Sequence, residues 1–164
     1  MRIMKQFLLV SIFIFTSIYL YSQEHDHFED HHHHPENEIG ISNNLVFNAS
    51  ENEYAYGLHL HFVRTISESD KIGFGLGYER IFDDHKHNSA SLIFMYRPIE
   101  SLSLNFAPGI IWLESESNSI NPAIHIEGLY EWQLGNFHLG PLVGIAFNPE
   151  DFHASLGLHL AFGF

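Results

Sequence analysis

Residues 72–78 read Ile-Gly-Phe-Gly-Leu-Gly-Tyr, so that a bulky apolar side chain alternates with glycine at every second position. A two-residue period is that of a β-strand, whose successive side chains point to opposite faces. One face of this strand is therefore large and apolar, while the other carries no side chains over three positions. The stretch predicts a strand whose glycine face packs closely against neighbouring groups.

The same period recurs along the chain after Pro35, where no stretch has the sustained 3.6-residue apolar stripe of an amphipathic helix. It predicts an all-β fold, an eight-stranded antiparallel up-and-down transmembrane β-barrel. The predicted strands are residues 38–48, 53–66, 71–82, 89–98, 101–114, 120–133, 136–148 and 151–164.

The connections between these strands alternate in character. Those at 48–52, 83–88, 114–119 and 148–151 are polar or acidic, and those at 67–70, 97–100 and 133–136 are tight turns. Eight antiparallel strands would place both chain ends on the side of the tight turns. Short periplasmic turns and longer outer loops are typical of outer-membrane barrels.

Alternation alone also suits a soluble barrel of the lipocalin kind, whose apolar face points inward. The second face decides between the two, because it is rich in Gly, Ala and Ser rather than in the Lys, Arg, Thr and Gln that solvate a surface. Small side chains suit the narrow lumen of eight strands. Aromatic residues near the strand ends of the apolar face predict interfacial girdles: Tyr54, Tyr56, Tyr78, Tyr96, Trp112, Tyr130, Trp132 and Phe147.

Two prolines fit this barrel poorly. Pro108 and Pro141 fall in mid-strand, where a closed ladder has no free edge to accept a missing N–H. We expect a β-bulge at each.

The first 22 residues have the form of a secretory signal peptide. Arg2 and Lys5 precede an apolar run at 7–20, and a small residue, Ser22, stands before the expected cut. The remaining chain has five basic and 20 acidic residues, a formal charge of −15. This balance argues against nucleic acid as a partner. The absence of cysteine excludes disulfides and thiolate metal sites.

Residues 38–164 resemble the small eight-stranded outer-membrane barrel proteins of Gram-negative bacteria. The resemblance is carried by the leader, the Gly-x-Gly-x-Gly strand at 73–77, the Ala-Pro-Gly-Ile stretch at 107–110 and the terminal Phe162-Gly163-Phe164. It implies an outer-membrane location, contact with lipid, a monomer, and recognition of Phe164 by the barrel-assembly machinery. The Ile-, Asn- and Phe-rich composition suggests a Bacteroidota-like source. Such barrels serve as structural barrels, small-solute pores or lipid-modifying enzymes, so the resemblance implies no single activity.

Histidine is unusually frequent, with 14 residues in the chain. The first group lies in a segment, 23–37, that we expect to be disordered and periplasmic. Imidazole and carboxylate are good ligands for Zn²⁺, Ni²⁺ and Cu²⁺. The candidate metal ligands of this His/Asp tract are His25, Asp26, His27, His31, His32, His33 and His34.

A second group, in the connection at 83–88, holds Asp83, Asp84, His85 and His87. His85 and His87 are candidate ligands of a surface cation, although such a connection is also compatible with a solvated turn in which the aspartates cap the backbone.

A third group of histidines lies on strands and points inward in the predicted phase. His59 and His61 share a face and are further candidate metal ligands. The group is equally compatible with a lumenal hydrogen-bond network that has no other role. Its members are His59, His61, His125, His138, His153 and His159, together with Glu53, Glu79, Glu127 and Glu131.

These observations predict an outer-membrane accessory protein, not an enzyme, that binds or buffers divalent transition-metal ions through its His/Asp tract. One alternative is a purely structural barrel without a ligand. Another is a lipid-modifying esterase that uses Asp151, His153 and Ser155 near the outer end of the last strand. A wide pore is not expected, because eight strands enclose no open channel.

Overall fold

The computed structural model of the chain describes residues 35–67, 69–114, 120–149 and 151–164. These residues form nine β-strand segments: β1 (Asn37–Asn48), β2 (Glu53–Thr65), β3 (Ile72–Phe82), β4 (His87–Ile99), β5 (Leu102–Leu113), β6 (Ile120–Tyr130), β7 (Trp132–Leu134), β8 (Phe137–Phe147) and β9 (Phe152–Gly163). Within this part of the chain, no helix is long and apolar enough to cross a membrane.

The strands form one closed antiparallel barrel. Strands that are adjacent in sequence pair with each other except β6 and β7, β1 also pairs with β9, and β8 pairs with both β6 and β7. β6 and β7 are one barrel strand that is interrupted at Glu131, because both pair with β8 in a single register. The barrel therefore has eight strands, which confirms the predicted fold, and each predicted boundary lies within two residues of the observed one.

The predicted bulges at Pro108 and Pro141 were wrong. Pro108 pairs with Ile124, and Pro141 pairs with Leu158, each in the register of the surrounding pairs. At Pro141 the missing N–H interrupts the ladder instead: β6 ends at Tyr130, the position opposite Pro141. The flanking pairs hold the strands in place, so that the chain accommodates each proline without inserting a residue.

The outer face of the barrel is an apolar surface. Ile72, Phe74, Leu76 and Tyr78, the bulky residues of the alternating stretch, are between 38% and 58% exposed. The aromatic residues predicted for the girdles are exposed too, except Trp112, which is half-buried with its ring 6.3 Å from that of Tyr78. An apolar belt of this kind is the surface that a bilayer requires of a barrel.

The lumen is packed with side chains and tightly closed. Aliphatic residues fill part of it, with Val63, Ile93, Met95 and Ala107 in one cluster, whereas the sequence predicted mainly small and polar residues there. Close strand approach explains some of the inward glycines. A Cβ at Gly75 would lie 2.1 Å from the carbonyl oxygen of Phe62, so no larger residue fits without moving the backbone.

Candidate functional site

The strand-borne histidines point into the lumen, as the alternation predicted. His59, His61, His138, His153 and His159 are buried, and His125 is half-buried. Glu53 does not join them. It has the inward phase but is exposed, because it begins β2 at the edge of the barrel wall.

Glu38 is the centre of an ionic cluster in the periplasmic half of the lumen. Its carboxylate accepts a hydrogen bond from Arg97 Nη2 at 3.3 Å, lies 2.9 Å from His138 Nδ1 and faces His61 Nε2 at 3.5 Å. The strands β1, β2, β4 and β8 each contribute one of these residues. Glu38 was not among the predicted lumenal residues, although it shares the inward phase of Gly40 on the same strand.

Arg97 joins this cluster to a second buried carboxylate, that of Glu131. The Ser103 hydroxyl donates to Glu131 Oε2 at 2.7 Å and accepts from Arg97 Nε at 3.1 Å. His159 Nε2 lies 3.6 Å from Glu131 Oε1. Glu131 lies in the interruption between β6 and β7. Its side chain is buried and keeps the inward phase of the strand.

Three of these residues can offer one ligand atom each to a common point. The ligating atoms of Glu38, His61 and His159 lie within 4.8 Å of one another, and all three residues are buried. The two imidazole rings stack with centroids 5.0 Å apart. His61 Nδ1 and His159 Nε2 are buried and make no hydrogen bond within the described residues. We call these three residues the lumenal triad. Glu38, Glu131 and His138 form a second group of the same kind.

The predicted pair His59 and His61 is divided between two environments. Their rings lie 5.5 Å apart, but His61 faces Glu38, whereas His59 Nδ1 lies 3.3 Å from Glu127 Oε1. His59 therefore belongs to neither group of converging ligands. Farther toward the outer end, His125 and Glu79 lie 3.5 Å apart, so that His/Glu pairs follow one another along the lumen.

The predicted group in the connection at 83–88 lies at the outer mouth. His87 Nδ1 is hydrogen-bonded to Asp83, and Asp84 is exposed. His85 Nε2 lies 2.7 Å from the carboxylate of Glu51, which belongs to a different connection. Residues of separate outer connections therefore meet at the mouth, a contact that the sequence pattern does not predict.

His153 extends this mouth cluster along β9. Its Nε2 lies 2.5 Å from Asp151 Oδ2. Partial burial would raise the pKa of Asp151, but backbone N–H donors of Phe152 and Ser50 and the nearby His153 together lower this pKa below its ordinary value. Asp151 is therefore held as an anion at the mouth.

The alternative esterase set lies inside the wall. His153 and Ser155 both have the inward phase of β9, and Ser155 is paired with Gly144 of β8. Neither side chain faces the lipid side on which an acyl chain would lie. The expectation that the chain is not an enzyme stays a prediction.

The His/Asp tract and the signal peptide lie outside the described residues. His25, Asp26, His27, His31, His32, His33 and His34 therefore remain sequence predictions, as do the boundaries at residues 22 and 37.

No protein-family model and no curated protein matches the chain. Among solved structures, Neisserial surface protein A (NspA) is similar, with a TM-score of 0.58 and 10% identity over 78% of this chain and 96% of that chain. A de novo designed transmembrane β-barrel gives a TM-score of 0.52 with 15% identity over 78% and 95% of the two chains. The fold is that of small transmembrane β-barrels. A second design, TMB2.3, gives 0.52 with 12% identity over 84% and 98%.

This shared fold and the apolar outer face together place the chain in an outer membrane, in contact with lipid, as the sequence predicted. At such low identities the likeness extends to the fold alone. The metal ions, the assembly machinery, the monomeric state and the Bacteroidota-like source remain predictions.

Proposed function

We propose that this outer-membrane barrel binds divalent transition-metal ions, Zn²⁺, Ni²⁺ or Cu²⁺, through its His/Asp tract and through the lumenal triad. The observation that carries the proposal is the convergence of one carboxylate and two imidazoles, all buried, within 4.8 Å. Two histidines and one glutamate are also a ligand set that zinc proteins use.

The buried nitrogens of the triad support this proposal. A buried imidazole nitrogen without a hydrogen bond costs free energy, since nothing replaces the water that it has lost. His159 Nε2 is such an atom within the described residues, whereas His61 faces Glu38 through its Nε2. A metal ion bound to His159 Nε2 would supply the missing partner, with rotations bringing the ligands to the metal–nitrogen distance of about 2.0 Å.

The His/Asp tract is connected in sequence to the strand that carries the triad carboxylate. His34 precedes Glu38 by four residues. Ligands tethered to one another raise the effective concentration of an ion that either of them holds. The tract would collect ions, and the triad would hold one of them.

The test is a calorimetric titration of the refolded mature protein with Zn²⁺. Four variants are compared with it. The first lacks residues 25–34, the second carries His61→Gln and His159→Gln, the third combines the deletion with these two substitutions, and the fourth carries His125→Gln. His125 is the matched control, because it is a lumenal histidine paired with Glu79 outside the triad.

We expect deletion of the tract to remove most of the bound ions and the double substitution to remove one ion per chain. The control should bind like the unchanged protein. If the unchanged protein binds no Zn²⁺ at micromolar concentration, the proposal is wrong.

A structural barrel without a ligand is the second candidate, and one observation favours it. Arg97, Ser103, Glu131 and Glu38 already form a connected buried network. Such a network satisfies much of the lumenal charge without an ion. In that case the double substitution would change stability and leave Zn²⁺ binding unaltered.

A further inference from the structure

The outer mouth contains three histidines, each of which lies beside a carboxylate. The three histidines and their three carboxylates come from the connections that follow β1, β3 and β8 and from the adjoining ends of β4 and β9. The pairs are His87 with Asp83, His85 with Glu51 at 2.7 Å, and His153 with Asp151 at 2.5 Å.

This pairing is the arrangement that prepares an imidazole for a metal ion. A histidine that binds a metal through one ring nitrogen usually donates the N–H of the other to a carboxylate, which fixes its tautomer and orientation. His87 uses Nδ1 for Asp83, so that Nε2 is the nitrogen left for a ligand. His153 Nε2 lies 2.5 Å from Asp151 Oδ2, but neither atom makes a hydrogen bond within the described residues, so the ring must rotate slightly before Asp151 can orient it.

The spacing of the rings fits a shared ion. The ring centroids of His85 and His87 are 6.0 Å apart, and those of His87 and His153 are 5.4 Å apart. Imidazoles that share a tetrahedral ion at about 2.0 Å have ring centroids about 5 Å apart. The ligating nitrogens of the three rings do not converge within 4.8 Å in the described part of the chain, so the rings must rotate to share one ion.

There is also room for an ion and its waters. A cavity of about 170 Å³ opens at the mouth and is lined by Glu51, His85, His87 and Asp151, among others, whereas His153 lines the smaller lumenal cavity beside Glu79 and His125. This volume is several times that of one water. His85 is 43% exposed at its side chain, so the mouth is accessible from outside.

We propose that the outer mouth is a separate binding site for a divalent transition-metal ion, formed by His87, His153 and His85, with Asp83, Asp151 and Glu51 orienting the rings. The site goes beyond the proposed function, because it faces the exterior and shares no residue with the tract or the lumenal triad. It would let the protein capture ions on the outside of the cell.

The experiment uses a mature protein without residues 25–34 and with His61→Gln and His159→Gln, so that the mouth is tested alone. Zn²⁺ binding is measured by calorimetry, and Cu²⁺ binding by electron paramagnetic resonance, which counts the coordinated nitrogens. We expect one ion per chain and at least two nitrogen ligands.

Variants made in this background locate the ion. Asp83→Asn keeps the imidazoles and removes one orienting carboxylate, so the affinity should fall about 10- to 100-fold. His87→Gln should weaken binding more than that. His85→Gln changes an exposed side chain that the fold tolerates, and it should remove one nitrogen from the Cu²⁺ spectrum. His125→Gln is again the control and should change neither readout.

Two results would overturn the inference: no metal binding in the background protein, or binding that His85→Gln, His87→Gln and Asp83→Asn all leave unaltered. The outcome is distinguishable from a failure of the proposed function. If only the mouth binds, the background protein retains all the affinity of the unchanged protein. If only the tract and the triad bind, it retains none.

Discussion

Two carboxylates near the start of β1 allow the effect of burial on an ion pair to be measured within one barrel. Glu36 pairs with Arg64, and both side chains are about 60% exposed. Glu38 pairs with Arg97, and their side chains are 6% and 3% exposed. We predict that Glu38→Gln destabilises the barrel strongly and that Glu36→Gln hardly does.

The magnitude follows from what each glutamine leaves behind. Removing one partner of a buried pair costs about 3–5 kcal/mol, because the other charge stays buried. Arg97 keeps Glu131 at 3.9 Å and Ser103 at 3.1 Å, so we expect the lower end, about 3 kcal/mol. An exposed pair contributes about 0.2–1 kcal/mol, which sets the expectation for Glu36→Gln.

The free energy of unfolding is measured by urea titration of the barrel in lipid vesicles at neutral pH, with Trp112 and Trp132 as fluorescent reporters. A chelator is present, so that no metal ion contributes through Glu38. The effect of Glu36→Gln should also vanish at high salt, since exposed charges are screened. Equal destabilisation by the two substitutions would refute the reasoning.

Three further predictions concern other parts of the barrel. Gly140→Ala would place Cβ 1.6 Å from the Tyr130 carbonyl oxygen and should cost at least about 1–3 kcal/mol in the same urea titration. Gly128→Ala, whose nearest atom is 3.7 Å away, should leave the stability unchanged or raise it by up to about 1 kcal/mol. Asp151→Asn should lower the free energy of unfolding by an amount that depends on pH. The stabilisation from Asp151 is complete above the ordinary aspartate pKa of about 3.9 and is lost as the pH falls through the lowered pKa of the folded state. If the two proteins differ in free energy of unfolding by as much at pH 3 as at pH 6, this prediction is wrong. Phe164→Ala should reduce the amount of heat-modifiable barrel in cell envelopes several-fold and leave refolding in vesicles unchanged, because the residue is expected to act in assembly; equal amounts in cells would count against that role.

The strands could be predicted from sequence because each one carries its own signal. The alternation at 72–78 assigns both faces of β3 without any other part of the chain, and the same holds for β9. The interruption at Glu131 has no such signal. It arises opposite Pro141, a residue of another strand, and that pairing is visible only once the register between β6 and β8 is known.

The lumenal triad shows the same limit for the site. The two-residue alternation correctly predicted that His61 and His159 point inward, but it does not predict which inward residues contact one another. Across the ladders Gly40 is the direct partner of His61, and Ser42 is the partner of His159. Glu38 nevertheless contacts His61, since side chains in a narrow barrel reach diagonally across the ladder. Contacts of this kind depend on register and tilt, which a single strand does not encode.

The packing of the lumen favours binding or buffering of ions over their conduction. Between the mouth and the lumenal triad, the cavity beside Glu79, His125 and Glu127 is about 10 Å³, which holds no more than about one water. The aliphatic cluster around Ile93 fills another part of the interior. An ion at the mouth would therefore have to break the Glu79–His125 and His59–Glu127 pairs to reach the triad. The two proposed binding sites are separated by this packed part of the lumen, so each would respond to its own side of the membrane.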